Sequence, residues 1–378
     1  MPGRDDLTIR VIRDEAEWDA IRPEWSALYA ECPRASPPLD HAWLRTWWQV
    51  FGATYGPDGL RIVTMWRASR LVAALPLYVG SGRGDRFGMR VVRLLSTGEA
   101  EDEETCPDYL DLLARPGEDP ACAAAAWREV EQWAWDQLEW LDLPAESALI
   151  RDRAAPRGAE VFDRGSCPIA DLWGGFEAYL GRLSSNGRQQ ARRLVREGEA
   201  AGAQFEIVEA DRAGRAFDDL CRLHQARWEA DGTPGVFAAP RFVAFHRQII
   251  EQWVPTGRAV LARLDLDREP IAVLYGFVTG GKFDFYQSGV RFDAGGALRS
   301  PGNLAHLRLM QALSARGVTA YDFLRGASSY KERLATREVS LAGVRVWRST
   351  PRAIAARARQ LVAQTVRRSA MPTPEPPS

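Results

Sequence analysis

The same run of elements can be read twice along these 378 residues, and this internal repeat constrains the fold more than any other feature of the chain. Arg61-Ile62-Val63 aligns with Arg258-Ala259-Val260, Val72-Ala73-Ala74-Leu75 with Ile271-Ala272-Val273-Leu274, and Leu141-Asp142-Leu143 with Tyr321-Asp322-Phe323, a period of about 200 residues. β-branched and aromatic runs read as strands, and apolar residues three to four apart read as helices. On those rules the first half runs strand, two helices, three strands with a glycine turn at Gly80, Gly82 and Gly84, a short strand at 109–113, a helix at 121–135 and a strand at 139–143. The second half runs strand (204–208), helices (217–228 and 242–253), three strands (259–264, 270–278 and 282–290), a helix (302–316) and a strand (319–323). The expectation is an α/β protein of two related halves, 1–160 and 161–350, followed by a basic, partly disordered tail at 351–378. The expected linker is 154–167, where Pro156, Gly158, Gly165 and Pro168 cluster. One large mixed sheet is the alternative.

Composition narrows the function. A net charge of −1 gives the whole molecule no field to gather nucleic acid, and none is expected as a partner. No run of about 18 apolar residues exists, and Asp5 and Asp6 stand where a signal peptide needs an apolar core, so a cytoplasmic protein is expected, with a peripheral position at the inner membrane left open. The five cysteines are scattered without a CxxC pair, and His41, His246 and His306 have no partner at ligand spacing, so neither a disulfide framework nor a metal is expected. Of 49 basic residues only Lys282 and Lys331 are lysine, which makes single arginines uninformative and draws attention to the two lysines.

The segments LCRLHQARWEADG, IAVLYGFVTGGKFDFYQSGVRF and SPGNLAHLRLMQALSARGVTAYDFLRGASSYKERLA resemble GNAT N-acetyltransferases of the branch grouped with bacterial cellulose-biosynthesis accessory proteins. That branch is related to the tandem-GNAT FemABX aminoacyltransferases. PPLDHAWLRTWWQVFG and LVAALPLYV are similar to the same branch, so the resemblance covers roughly residues 10–350. It implies tandem GNAT-like domains, each a mixed, largely antiparallel sheet flanked by helices, with 1–160 a degenerate copy and 161–350 the acetyltransferase. It also implies acetyl-CoA as donor and an amine acceptor, often a sugar or polysaccharide precursor.

Within that frame the candidate site residues can be named. A helix start that presents free N–H groups and a small residue suits a pyrophosphate, and Arg299, Ser300, Pro301, Gly302 and Asn303 offer one, with Ser300 as cap and Pro301 in the first turn. The matching place in the first half carries Glu118 and Asp119, which would repel phosphate, so a single donor site is expected in the second half. Asp322, at a strand end, is the candidate for polarising the amine, with a salt bridge to Arg325 as its alternative reading. Tyr330 is the candidate acid for the CoA thiolate, a role the resemblance supplies, and Lys331 follows it. His224, Arg227 and Trp228 share a helix; His224 is a second candidate base, and Arg227, Trp228, Arg325 and Lys331 are candidates for substrate contact. Arg188, Arg192, Arg193 and Arg196 form a basic helix face suited to a phosphorylated substrate. The arginines from Arg345 to Arg368, with the Arg348/Arg352 pair among them, are expected to lie outside the core and to contact cyclic di-GMP, a membrane surface or a partner. The function expected is N-acetylation of an amino sugar or similar amine in exopolysaccharide or envelope synthesis. The alternatives are a FemABX-type aminoacyltransferase and a silent regulatory module.

Overall fold

The computed structural model describes residues 7–81, 88–151, 155–291, 298–326 and 328–359. The first half contains β1 (Leu7–Ile12), α1 (Glu15–Ala20), α2 (Arg22–Glu31), α3 (His41–Tyr55), β2 (Ile62–Arg67), β3 (Arg70–Leu75), β4 (Leu77–Ser81), β5 (Arg90–Leu94), β6 (Leu113–Ala114), α4 (Asp119–Glu131), β7 (Gln137–Pro144) and β8 (Glu160–Asp171). The second contains α5 (Phe176–Arg182), α6 (Ser185–Ala200), β9 (Gln204–Ile207), α7 (Ala213–Ala230), α8 (Pro240–Trp253), β10 (Ala259–Leu266), β11 (Glu269–Thr279), β12 (Lys282–Val290), α9 (Pro301–Ala315), β13 (Ala320–Asp322), α10 (Ser329–Leu334) and β14 (Arg337–Trp347). Asp14, Asp40 and Ser184 cap α1, α3 and α6 by accepting a first-turn N–H, which fixes where those helices begin.

The strands form a four-stranded sheet, β1-β2-β3-β6, and a ten-stranded sheet, β4-β5-β7-β14-β8-β13-β12-β11-β10-β9. In the larger sheet three strands flank the β14–β8 pair on one side and five on the other. On one side β5 runs parallel to β7, and on the other β12 runs parallel to β13, each pair joined through a helix. The last strand of each half is exchanged: β8 pairs with β13, and β14 pairs with β7 as well as β8. Strands of both halves share the ten-stranded sheet, so a repeated order of elements and a single large sheet coexist. Pro76, with no N–H for a ladder, separates β3 from β4 and sends the strand from one sheet to the other.

Packing joins the halves as firmly as pairing does. Trp43, Leu44, Trp47 and Phe51 recur at helical spacing along α3 and are fully buried. Trp43 meets Phe245 of α8 at 4.8 Å and Phe277 of β11 at 5.2 Å between ring centroids, so this first-half helix is packed into second-half core. Burying each such aromatic stabilises by about 2–3 kcal/mol.

Several expectations are corrected. Most of the expected linker is β8, at the middle of the ten-stranded sheet; Gly165, with φ 88°, lies where its register against β14 shifts, so the glycine marks a bulge and not a loop. The expected strand at 109–113 shrinks to Leu113–Ala114, because Tyr109 has φ 65° and breaks the extended run. Arg345 belongs to β14 and pairs with Glu139 at 2.8 Å. Arg348 lies 3.9 Å over the Trp135 ring and donates to the Trp133 carbonyl, and Arg352 donates to the Gly88 carbonyl at 3.2 Å. This pair is tied to the core, contrary to expectation. Residues 351–359 are helical with Ala353 buried. Gly82, Gly84, Ala154, Leu361, Val362, Arg367 and Arg368 lie outside the described residues.

Candidate active site

The parallel pair β12/β13 holds together for three rungs, Lys282 with Ala320, Phe283 with Tyr321 and Asp284 with Asp322. Beyond Asp322, β13 ends and Leu324 takes φ 55°, while β12 continues to Val290, so the strands part and leave a notch with two carboxylates at its vertex. Alternation sends Phe283, Phe285, Tyr321 and Phe323 to one face, where His306 of α9 receives them, and Lys282, Asp284 and Asp322 to the other. At the far end of the notch, Val290 adjoins the start of α9. A Cβ on Gly302 would lie 3.4 Å from Val290 Cγ2, which is ordinary contact, so packing does not demand this glycine.

Asp322 is completely buried and well supplied with donors. Tyr109 donates its hydroxyl to Oδ2 at 2.6 Å, Lys282 Nζ reaches Oδ2 at 3.2 Å, and the Leu324 N–H meets Oδ1 at 2.8 Å. Lys282 Nζ also lies 2.7 Å from Oδ1 of Asp284, whose Oδ2 has no hydrogen-bond partner among the described residues. Burial pushes the Asp284 carboxyl up to about 7 against the opposing pull of Lys282. Burial alone would lower Lys282, but the two aspartates outweigh it and hold its ammonium above the usual range. Lys331 has no such partner: burial lowers it, and its Nζ contacts the Arg325 carbonyl at 3.2 Å. Lys282 thus lies at the vertex, and Lys331 on the carbonyls of Leu324 and Arg325 that follow it in the chain.

The first half supplies part of the floor. Beyond the paired rungs of β5 and β7, the segment 105–109 is bonded at one end to Ser96, through Thr105, and at the other to β7, through the Tyr109 N–H and the Asp142 carbonyl at 3.0 Å. That segment fills the first half's own notch and directs Tyr109 at Asp322. Glu118 and Asp119, expected to repel phosphate, are instead paired with Arg67 and Arg34. Arg325 is not paired with Asp322; its backbone N–H and guanidinium meet Asp108, at 2.7 and 3.3 Å, and its guanidinium also meets Asp142 at 3.3 Å. Burial raises Asp108 to about 6.

The remaining candidates fall around the notch with uneven support. Tyr330, on α10, stacks against His306 at 5.3 Å, and its hydroxyl has no hydrogen-bond partner among the described residues; burial raises it to about 12, so it stays protonated. Arg227 lies close enough to oppose that rise. His224 is buried, and its Nε2 accepts the indole N–H of Trp228 at 3.0 Å, which leaves Nδ1 as the donor to Gln225 at 3.2 Å. With its lone pair engaged and its pKa lowered by burial, His224 is placed to hold Trp228 and not to take a proton. Ser300 precedes α9 but makes no side-chain cap bond, Pro301 occupies the first turn as expected, Arg299 is exposed, and Gly302 and Asn303 are half-buried. Sequence reasoning missed Tyr109, Asp108 and Asp284. Among the described residues no His, Cys, Asp and Glu cluster could hold a metal.

Residues 185–332, from α6 into α10, match the acetyltransferase (GNAT) domain. The second half carries a GNAT-fold acyltransferase domain. The C-terminal domain of a putative lysylphosphatidylglycerol synthetase from Agrobacterium fabrum is 13% identical with a TM-score of 0.55, over 91% of this chain and 97% of that one. FemX is 11% identical with a TM-score of 0.56, over 84% and 95%. A conserved protein of unknown function from Bacteroides thetaiotaomicron is 10% identical with a TM-score of 0.55, over 90% and 100%. At such identities the likeness is one of fold, and it spans both halves. No curated protein matches the sequence.

Proposed function

We propose that this protein transfers an acyl group, acetyl in the first instance, from acyl-CoA to the amine of an amino sugar or related amine used in exopolysaccharide or cell-envelope synthesis. The observation that carries the reading is the notch between β12 and β13, with α9 opening at its mouth and buried carboxylates at its vertex. The first N–H groups of α9 have no partner within their own helix, and the positive helix end suits a pyrophosphate there. Gly302 leaves room for it and Arg299 adds a cation. The thioester then extends along the notch toward Asp322.

Asp322 has three donors on roughly four lone-pair positions, so one position remains to take the proton of the attacking amine. The C–N bond forms as the C–S bond breaks, and Tyr330, protonated throughout the physiological range, gives its proton to the leaving thiolate. Tyr109 and Lys282 hold Asp322 in orientation; Arg227, Trp228 and Lys331 border the reacting groups. An aminoacyl donor is the main competitor, and it requires no CoA affinity. The test is thiol release from acetyl-CoA with a panel of amino sugars. Asp322→Asn and Tyr330→Phe should each lower kcat about 10²-fold with the Kd for acetyl-CoA nearly unchanged. Unaltered kcat in both variants contradicts the assignments.

A further inference from the structure

Lys282 and Tyr109, the two side chains that reach Asp322 Oδ2, also line a cavity of about 540 Å³ at the seam of the two halves. Its walls come from the segment before α3, the end of β7 and the start of β14, among them Ser36, Ala145, Glu146, Glu338 and Ser340. The volume is in the range of small-molecule sites, and the lining mixes apolar surface with a few polar groups as such sites do. The cavity is thus one side chain away from the notch vertex and is built by both copies of the repeat.

Its charges are unevenly matched. The Arg34 guanidinium is held by Asp111 and Asp119, and the Lys282 ammonium by Asp284 and Asp322. Glu146 is 81% exposed with only a 3.9 Å contact to Arg151, and Glu338 is exposed and accepts the Ser166 hydroxyl at 2.8 Å. The uncompensated field at the wall is negative, which favours a cation.

Building on the acyl-transfer reading, we propose that this cavity is the acceptor site and that it takes a primary amine, cationic in solution and no larger than a disaccharide, whose nitrogen is delivered to Asp322 past Lys282 and Tyr109. Glu338 and Glu146 draw the ammonium to the cavity mouth, where it gives one proton to solvent; the neutral amine then moves on to Asp322, which takes the second proton as the C–N bond forms. Tyr109, contributed by the first half, is a positioning residue of the second half's chemistry.

Because the chain has only two lysines, one in this cavity and one on α10, side-chain labelling with [ε-¹³C]lysine gives two resonances that report the two sites separately. In the full chain, glucosamine should shift the Lys282 resonance and leave Lys331 nearly unmoved, and glucose, the same ring without the amine, should bind at least tenfold more weakly. Glu338→Gln, at an exposed position, should weaken glucosamine about fivefold, and Ala145→Trp, which fills the cavity from its exposed rim, should abolish the Lys282 shift. Glucosamine that moves neither resonance or only Lys331, glucose binding as well as glucosamine, or a Lys282 shift that persists in both variants would each overturn the proposal. CoA is titrated in a separate arm. Failure of CoA to bind there removes the acyl-CoA reading, whereas the glucosamine arm, which needs no CoA, reports on the cavity alone.

Discussion

Replacing Glu99 with glutamine should change how stability depends on pH, by an amount the structure sets. Glu99 lies just past β5, wholly buried; Oε1 accepts the Trp47 indole N–H and the Thr105 hydroxyl, and Oε2 has no partner among the described residues. Burial lifts its carboxyl from 4.5 to about 7, outweighing the two donors. The folded state thus binds a proton that the unfolded state has already released across this window, so stability falls as pH rises from about 4.5 to about 7 and is flat above it. At about 1.4 kcal/mol per unit, the loss is about 3 kcal/mol. Glutamine cannot ionise, and its unpaired amide adds a cost of about 1–3 kcal/mol that does not vary with pH. The other raised carboxyls, Asp108, Asp111 and Asp284, are present in both proteins and cancel. Urea unfolding followed by tryptophan fluorescence at pH 5 and pH 8 should show Glu99→Gln gaining about 2.5 kcal/mol relative to the parent between the two. Parallel pH profiles would refute the account of this buried carboxylate.

Lys282→Met leaves Asp284 and Asp322 buried without their cation and should cost about 3–5 kcal/mol in urea unfolding at pH 7, with at least half recovered when Asp284→Asn is added; an unchanged midpoint in the single variant contradicts the ion-pair assignment. Ending the chain after Thr350 removes buried Ala353 and the Arg352–Gly88 bond and should cost about 1 kcal/mol with CoA affinity intact. Loss of CoA binding in the shorter protein would show that the tail is part of the donor site.

Much of the architecture was legible because strand and helix periods are local. The strand around Leu141-Asp142-Leu143, the strand around Tyr321-Asp322-Phe323 and the helix opening at Pro301 each come from residues near one another in the chain. The exchange of β8 and β14 was not legible, since a strand's partner is decided by segments about 170 residues away, and Gly165 and Pro168 read locally as a linker. Lys282 and Asp284 did carry a usable signal: two opposite charges two apart, flanking and followed by phenylalanines in one strand, share a face and pair there. Tyr109 carried none, because its place follows from a left-handed backbone turn and from the filling of the first notch, both set by tertiary contacts. The Arg348/Arg352 pair misled for a related reason. Its partners, Trp135 and the carbonyls of Trp133 and Gly88, come from the distant first half.

The central claim is that a CoA donor lies in the notch with its pyrophosphate at the start of α9, and calorimetry of CoA binding to the Gly302 series tests it most directly. The nearest atom to a Cβ at Gly302 is Val290 Cγ2 at 3.4 Å, so alanine is compatible with the fold, and melting temperatures close to the parent's should show that both variants fold. Alanine should weaken CoA less than tenfold, and glutamate, which sets a carboxylate against the phosphates at the helix end, should weaken it more than 100-fold. CoA bound to a folded Gly302→Glu protein as tightly as to the parent would contradict the account.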